Sequence, residues 1–438
     1  MIRSILFIVT ILVSLNCFPQ QKKTQFWKNG TKQSEGSYVD SLMTGKWIFW
    51  YDNGNKWSEG EYKKGKKIGK WQIWYDDGKK WKVSNLENGK DTTWFENGKI
   101  KETGWIKNGK KQDIWRFYHM NEQLQEEVFY ANDLREGKNI RYHENGKKEF
   151  EGSYNNGKIN SYTTWWNKDG IKEMEGKVID DLQDSTWIFY TKKGHKGSIG
   201  KFEKGLQEGT WVYYYETGEK WKSGDFIHGK KEGLWTTWYE NGRKQHEGNF
   251  ANNLEEGKWT SWYENGKIET EGFFSAGKMD GEWKGYYLNL KQKYCTNYKN
   301  NIKNGLSIFW FQDGKKYYEH TYKDGELDGA YTSWDSLGIM IEKGNYKKAQ
   351  KDGEWTVYNK LGGVQQIAHY KDGIPVDKLI VFYENGVKEV EGSYAGGFKQ
   401  GKWTFRNEKN KIINRIIFDK GKIITQSNPT VDAVKKTK

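Results

Sequence analysis

Seven histidines are scattered over the 438 residues, and two of them, His119 and His143, stand 24 residues apart. Two imidazoles brought side by side are the beginning of a transition-metal site, but a structural zinc needs four ligands and a catalytic one three. No cysteine and no consistent third ligand keeps step with this pair, and no H-E-x-x-H spacing occurs. Tyr215, Tyr239 and Tyr263 hold the same position in other copies of the same pattern, so the two histidines are expected to stand in for an aromatic ring. Glu240 and Glu264 precede Asn-Gly and suggest the paired carboxylates of sugar hydrolysis. They recur in nearly every copy, whereas hydrolysis needs one tuned pair. G-x-S-x-G is absent, and GKKIG (65–69) and GKKEG (229–233) lack the G-K-[ST] ending of a phosphate loop. Cys295 is a lone thiol. The expectation is a non-enzyme with no catalytic, cofactor or metal site.

What must position these residues is a repeat. Asn-Gly or Asp-Gly turns fall at Gly30, Gly54 and Gly78, then, after a shortening by four residues, at Gly98 and every 24 residues from Glu122 to Asn410. Trp recurs at Trp47, Trp71, Trp115, Trp187, Trp211, Trp235, Trp259, Trp283, Trp355 and Trp403. An aromatic ring usually stands two residues after the glycine of Glu-Gly, as at Tyr62, Tyr154, Phe250 and Tyr394. Periods of this length mark repeat arrays. A turn signal interrupts every stretch before three helical turns are complete, which excludes a helical repeat.

Each copy resolves into a hairpin. In one, Trp235–Tyr239 is a strand, Glu240-Asn241-Gly242 the turn and Arg243–Phe250 the return, since Asn and Gly both tolerate positive φ. Residues 251–257 are expected to form a wider loop to the next hairpin. Alternation puts Trp235, Thr237 and Tyr239 on one face and Thr236 and Trp238 on the other. The bare Gly248 is expected to make room for a large ring from a neighbouring strand. A lone hairpin is marginal, but stacked hairpins gain ladder hydrogen bonds and ring contacts. The fold expected is all-β: an elongated, twisted single antiparallel sheet of about sixteen 24-residue hairpin repeats, continuous over residues 21–425.

Composition agrees with a thin structure. Apolar residues make up 35% and charged ones 30%, which alone leans towards disorder, but 24 Trp, 28 Tyr and 20 Phe argue for order. Residues 1–20 carry Arg3, an apolar run from Ile5 to Leu15 and then small and polar residues, the pattern of a secretory signal peptide cleaved near Gln20. Asn16 ahead of Cys17 speaks against a lipoprotein anchor there. Removing the leader leaves Cys295 alone, so no intrachain disulfide can form, and takes only Arg3 from the net charge of +14. The tail 426–438 leaves the repeat and is expected to be flexible and basic.

The pattern GxWxxWYENGxKxxEGxYxxGKxxG, seen as GTWVYYYETGEKWKSGDFIHGKKEG (209–233) and GLWTTWYENGRKQHEGNF (233–250), resembles the MORN repeat. Within that family it is most similar to the bacterial variant of proteins labelled YwqK-family antitoxins. The resemblance implies a scaffold or membrane-proximal adaptor, and export would separate it from any cytoplasmic toxin. Asp377 and Ser185 stand where Gly precedes the strand, and Thr296 and His320 where the Glu-Gly glycine belongs, so those copies depart from the motif. The expected role is protein–protein interaction at the cell envelope, with an unidentified protein partner and the oligomeric state left open. One alternative is binding of anionic lipid headgroups or envelope polysaccharide through lysine and aromatic rows, with lysine-rich loops such as GKKIG (65–69), GKK (109–111) and GKKEG (229–233), and a second is an antitoxin-like neutralising partner. Interleaved lysines and rings also suit single-stranded nucleic acid. The 58 acidic residues laced among 72 basic ones, and the exported setting, disfavour that partner.

Overall fold

The computed structural model describes residues 20–427. Residues 1–19, on which the expected signal peptide and Cys17 fall, and residues 428–438 lie outside the described residues. Those described form 37 strands and no helix, in one open antiparallel sheet of hairpin-like succession, in which Lys158–Ile159 and Ser161–Trp166 share one partner strand, as do Lys278–Met279 and Gly281–Tyr286. The chain divides into two units, residues 1–206 and 207–438, and the hairpin succession runs through each.

In the second unit, strands Lys230–Trp238 and Lys244–Ala251 form one hairpin. Gly242 N–H donates to Tyr239 C=O at 2.9 Å, and Tyr239 N–H to Arg243 C=O at 2.8 Å. Gly242 has φ +79, whereas Asn241 stays out of the left-handed region. The turn is therefore a three-residue loop closed by a left-handed glycine, not the two-residue Asn-Gly turn that the dipeptide suggests. Asn is needed for its side chain. Its Oδ1 accepts from Arg243 N–H at 3.0 Å, and its Nδ2 donates to Glu264 C=O of the next copy at 3.2 Å.

The wider loop expected over 251–257 is not there. Asn252 (φ 51) and Asn253 (φ 71) make a two-residue turn with both residues left-handed, and the next strand starts at Leu254. That is the mirror-image turn whose twist suits a hairpin. Gly257, with φ +69, belongs to a bulge inside the strand, where the register slips between Gly248 and Asn249. The first unit repeats both devices with other residues: Asp180 and Asp181 in the turn, Ser185 at φ 59 in the bulge. Polar side chains tolerate the left-handed region well enough to replace glycine there.

The core is one residue deep. A Cβ on Gly248 would lie 2.2 Å from Trp259 Cδ2, so the indole occupies the space that a side chain would take. Its Nε1 donates to Asn249 C=O at 3.1 Å. In the first unit, Trp187 covers Gly176 at 2.4 Å and donates to Lys177 C=O at 3.0 Å. This fulfils the expectation for Gly248. Phenyl rings then wedge between successive indoles: Phe226, Trp235, Phe250, Trp259, Phe274 and Trp283 follow one another edge to face at 5.0–6.0 Å for the consecutive contacts from Trp235 onward. Such pairs add about 0.5–1.5 kcal/mol each beyond area burial. The result is a dry stripe on a single sheet: Trp47, Trp187, Trp355 and Trp403 are each 1% exposed.

Candidate binding face

The charged groups around this stripe are mostly engaged within the chain. Lys231 Nζ sits 4.7 Å from the centre of the Trp235 ring, Lys111 3.9 Å from Trp115 and Lys351 3.8 Å from Trp355. The second lysine of the GKK loops, and Lys351 after Ala349-Gln350, thus roof the core, stem on the ring and charge at its rim. On the opposite face, Lys244 contacts Glu247 at 2.6 Å and overlies Trp262 at 5.6 Å. Lys32 and Lys172 repeat that arrangement with Glu35 and Glu175. The glutamate of Glu-Gly is accordingly a lysine clamp: hydrogen bonds from Lys22 and Lys32 hold the Glu35 carboxyl down at about 2. In the first unit Arg135 reaches the buried Glu126 at 2.8 Å, a pair that replaces apolar packing between strands.

The residues with chemical potential are likewise placed in structural roles. His119 Nε2 lies 2.8 Å from Tyr142 C=O and His143 Nε2 2.9 Å from Trp166 C=O. Tyr239 and Tyr263 hydroxyls donate to Trp262 and Tyr286 carbonyls in the same way. The two imidazoles therefore continue a ladder that ties each turn to the next copy. Glu240 is exposed and accepts from the Thr217 hydroxyl at 3.1 Å, while the backbone carbonyl of Glu264 takes the Asn241 amide. Cys295 donates to Glu282 at 3.1 Å, and burial with that acceptor pushes the thiol up to about 12. A thiol so held stays protonated and is a poor nucleophile.

Beside the fixed tryptophan column, on the same face, runs a row that changes with each copy: Phe49, Ile73, Phe117, Trp165, Tyr213, Ser261. Where its members are small, the face opens. A cleft of about 220 Å³ lies in the second unit, lined by His246, Trp259, Thr260, Ser261, Thr270, Phe274 and Trp283. The repeat pattern did not single out this place, because all its framework columns are intact there. The signal was the loss of rings in the neighbouring row, which reads as conservative variation in any one copy.

These features define an array of β-hairpins in which a tryptophan-on-glycine framework recurs in many copies beside a row that varies more. Six segments match the family model for the MORN repeat variant: residues 43–64, 135–156, 231–252, 255–276, 303–324 and 351–372. They support a MORN-repeat protein, and nothing in the match extends to antitoxin activity. No curated protein matches the chain. Among solved structures, the TcdB2-TccC3-Cdc42 crystal structure aligns at 9% identity and a TM-score of 0.15, over 93% of this chain and 27% of that one. The Photorhabdus luminescens Tc holotoxin pore aligns at 9% and 0.15, over 90% and 23%. The chain spans about a quarter of the length of those chains, and so weak a superposition transfers no function.

Proposed function

We propose that the chain is a non-catalytic interaction module, exported to the cell envelope, that presents its variable row to a protein partner. The observation that carries this reading is the division of labour on one face. Trp, Gly and the wedging rings hold the geometry in copies such as those of Trp115, Trp187, Trp235 and Trp259, while the adjacent row there reads Phe117, Phe189, Thr237 and Ser261. Repeat arrays bind through surfaces of this kind, and MORN repeats generally serve as modules in protein or membrane interactions. The engagement of Lys111, Lys231 and Lys351 over rings, and of Lys32, Lys172 and Lys244 on glutamates, favours a protein surface over a polyanion platform. Export rests on Arg3 and the apolar run Ile5–Leu15.

The test is affinity capture with residues 21–438 from the cell-envelope extract, beside a variant carrying Phe117→Thr, Phe189→Thr and Tyr213→Thr. Threonine already stands in that row at Thr93 and Thr237, so the variant keeps the framework. A stoichiometric protein captured by the native chain and lost by the variant is the expected result. Retention on lipid fractions alone, abolished by salt, would replace the protein partner with a charged surface.

A further inference from the structure

The variable row reads Tyr213, Thr237, Ser261, Gly285 and Phe309 in five successive copies, so three positions in succession lack a ring between two that have one. Gly285 is covered by the ring of Tyr294, whose Cε1 would lie 2.1 Å from an added Cβ. Ser261 keeps only 9% of its surface exposed, and the cleft of about 220 Å³ opens beside it. Its floor is the indoles of Trp259 and Trp283 with the Phe274 ring. Trp259 is half-buried, whereas Trp187, Trp355 and Trp403 are 1% exposed. Polar groups stand over that apolar floor. Ser261 Oγ and Thr270 Oγ1 are 2.5 Å apart, and His246 is exposed at the rim, held below the usual histidine range chiefly by desolvation. No lysine, arginine, aspartate or glutamate lines the cleft.

We propose that this cleft binds a neutral pyranose ring, presented by a glycan. The inference stands apart from the protein-partner reading, since it concerns a place where the row withdraws its side chains. Five considerations point to a sugar. The apolar floor offers flat indole to the C–H face of a ring, and covering it is favourable at roughly 25 cal/mol per Å². The hydroxyls of Ser261 and Thr270 use one hydrogen on each other and retain one to donate, with lone pairs to accept, which matches ligand hydroxyls. A charged ligand would lose hydration without meeting a countercharge. An aromatic side chain would cover those hydroxyls without pairing them. The volume falls below the roughly 300 Å³ at which pockets begin to take drug-sized ligands, so one ring is the natural occupant.

Saturation-transfer NMR on residues 21–438 with the methyl glycosides of glucose, galactose, mannose and N-acetylglucosamine tests this. The expected result is transfer to the C–H protons of at least one of the four. Ser261→Phe should abolish it without lowering the melting temperature, because phenylalanine already occupies this row at Phe49, Phe117 and Phe309. Thr270→Val, which keeps the volume and removes one hydroxyl, should weaken binding by roughly threefold to tenfold. The proposal is overturned if none of the glycosides receives transfer, or if transfer persists in both variants. It is also overturned if N-acetyltyrosinamide binds and no glycoside does, which would make the cleft a seat for a protein side chain.

Discussion

Two neighbouring stretches of the second unit solve the same packing problem with opposite residues. From Gly224 to Trp283 every slot is an indole laid on a bare glycine. From Thr296 to Tyr331 neither partner keeps that form. Thr296 and Ser307 pair across the strands through hydroxyls 2.8 Å apart, and are 1% and 0% exposed. His320 fills the next glycine position, stacked between Tyr318 at 4.2 Å and Tyr331 at 4.4 Å. The first unit varies the theme again, with Phe150 and Thr163 closing on Gly152. What the pairs share is a close contact across the strands, made by an indole on a glycine, by two hydroxyls or by stacked rings. Thr296 and His320 look like lost motif residues in one copy; across the strand each is compensated.

The comparison can be broken at several strengths. The largest effect is expected for Trp187→Ala, which empties a fully buried indole site and should cost about 3–5 kcal/mol in urea denaturation. Trp259→Ala should cost clearly less, because its ring already faces the open cleft. Gly176→Thr brings a Cβ to 2.4 Å from Trp187 Cδ2, well inside van der Waals contact, and should cost about 1–3 kcal/mol or more through overpacking.

A pH series sharpens the substituted stretch. Burial, reinforced by Lys303, holds the His320 imidazole down at about 4, below its ordinary 6.5. The unfolded chain therefore binds more protons between these values, and stability should fall as pH drops from 6.5 to 4 and gain no further loss from this group below that. His320→Phe should remove that limb. Clamped glutamates such as Glu271 and Glu391 act later, since their lowered values keep them charged below 4.5. The smallest effect is a gain: Ser185→Gly relieves a left-handed serine at φ 59 and should stabilise by at most about 1 kcal/mol.

The period, the hairpins and the ring-on-glycine contact were legible because each rests on residue types that few other arrangements tolerate. Trp, Gly and the wedging rings recur with fixed spacing, and alternation then assigns their faces. The turn chemistry was less so. Asn-Gly suits a two-residue turn, yet at Asn241-Gly242 the Asn side chain bonds to the next copy, a tertiary contact that local preference does not contain. Residues 251–257 look like a loop because Asn, Glu and Gly crowd there, although Asn252-Asn253 turn tightly and Gly257 bulges within a strand. The cleft escaped for a further reason. It arises from Ser261 and its neighbours across strands, and from rings missing where other copies have them.

The central claim is that each cross-strand pair is one packing unit, and a double-mutant cycle at Gly176 and Trp187 tests it most directly. Gly176→Thr and Trp187→Ser together transplant the Thr296/Ser307 pair into a tryptophan site of the first unit. The account predicts that the double variant is more stable than the sum of the single losses, with a coupling on the order of 2 kcal/mol. Additive losses, within about 0.5 kcal/mol, would contradict it and return the two columns to independent roles.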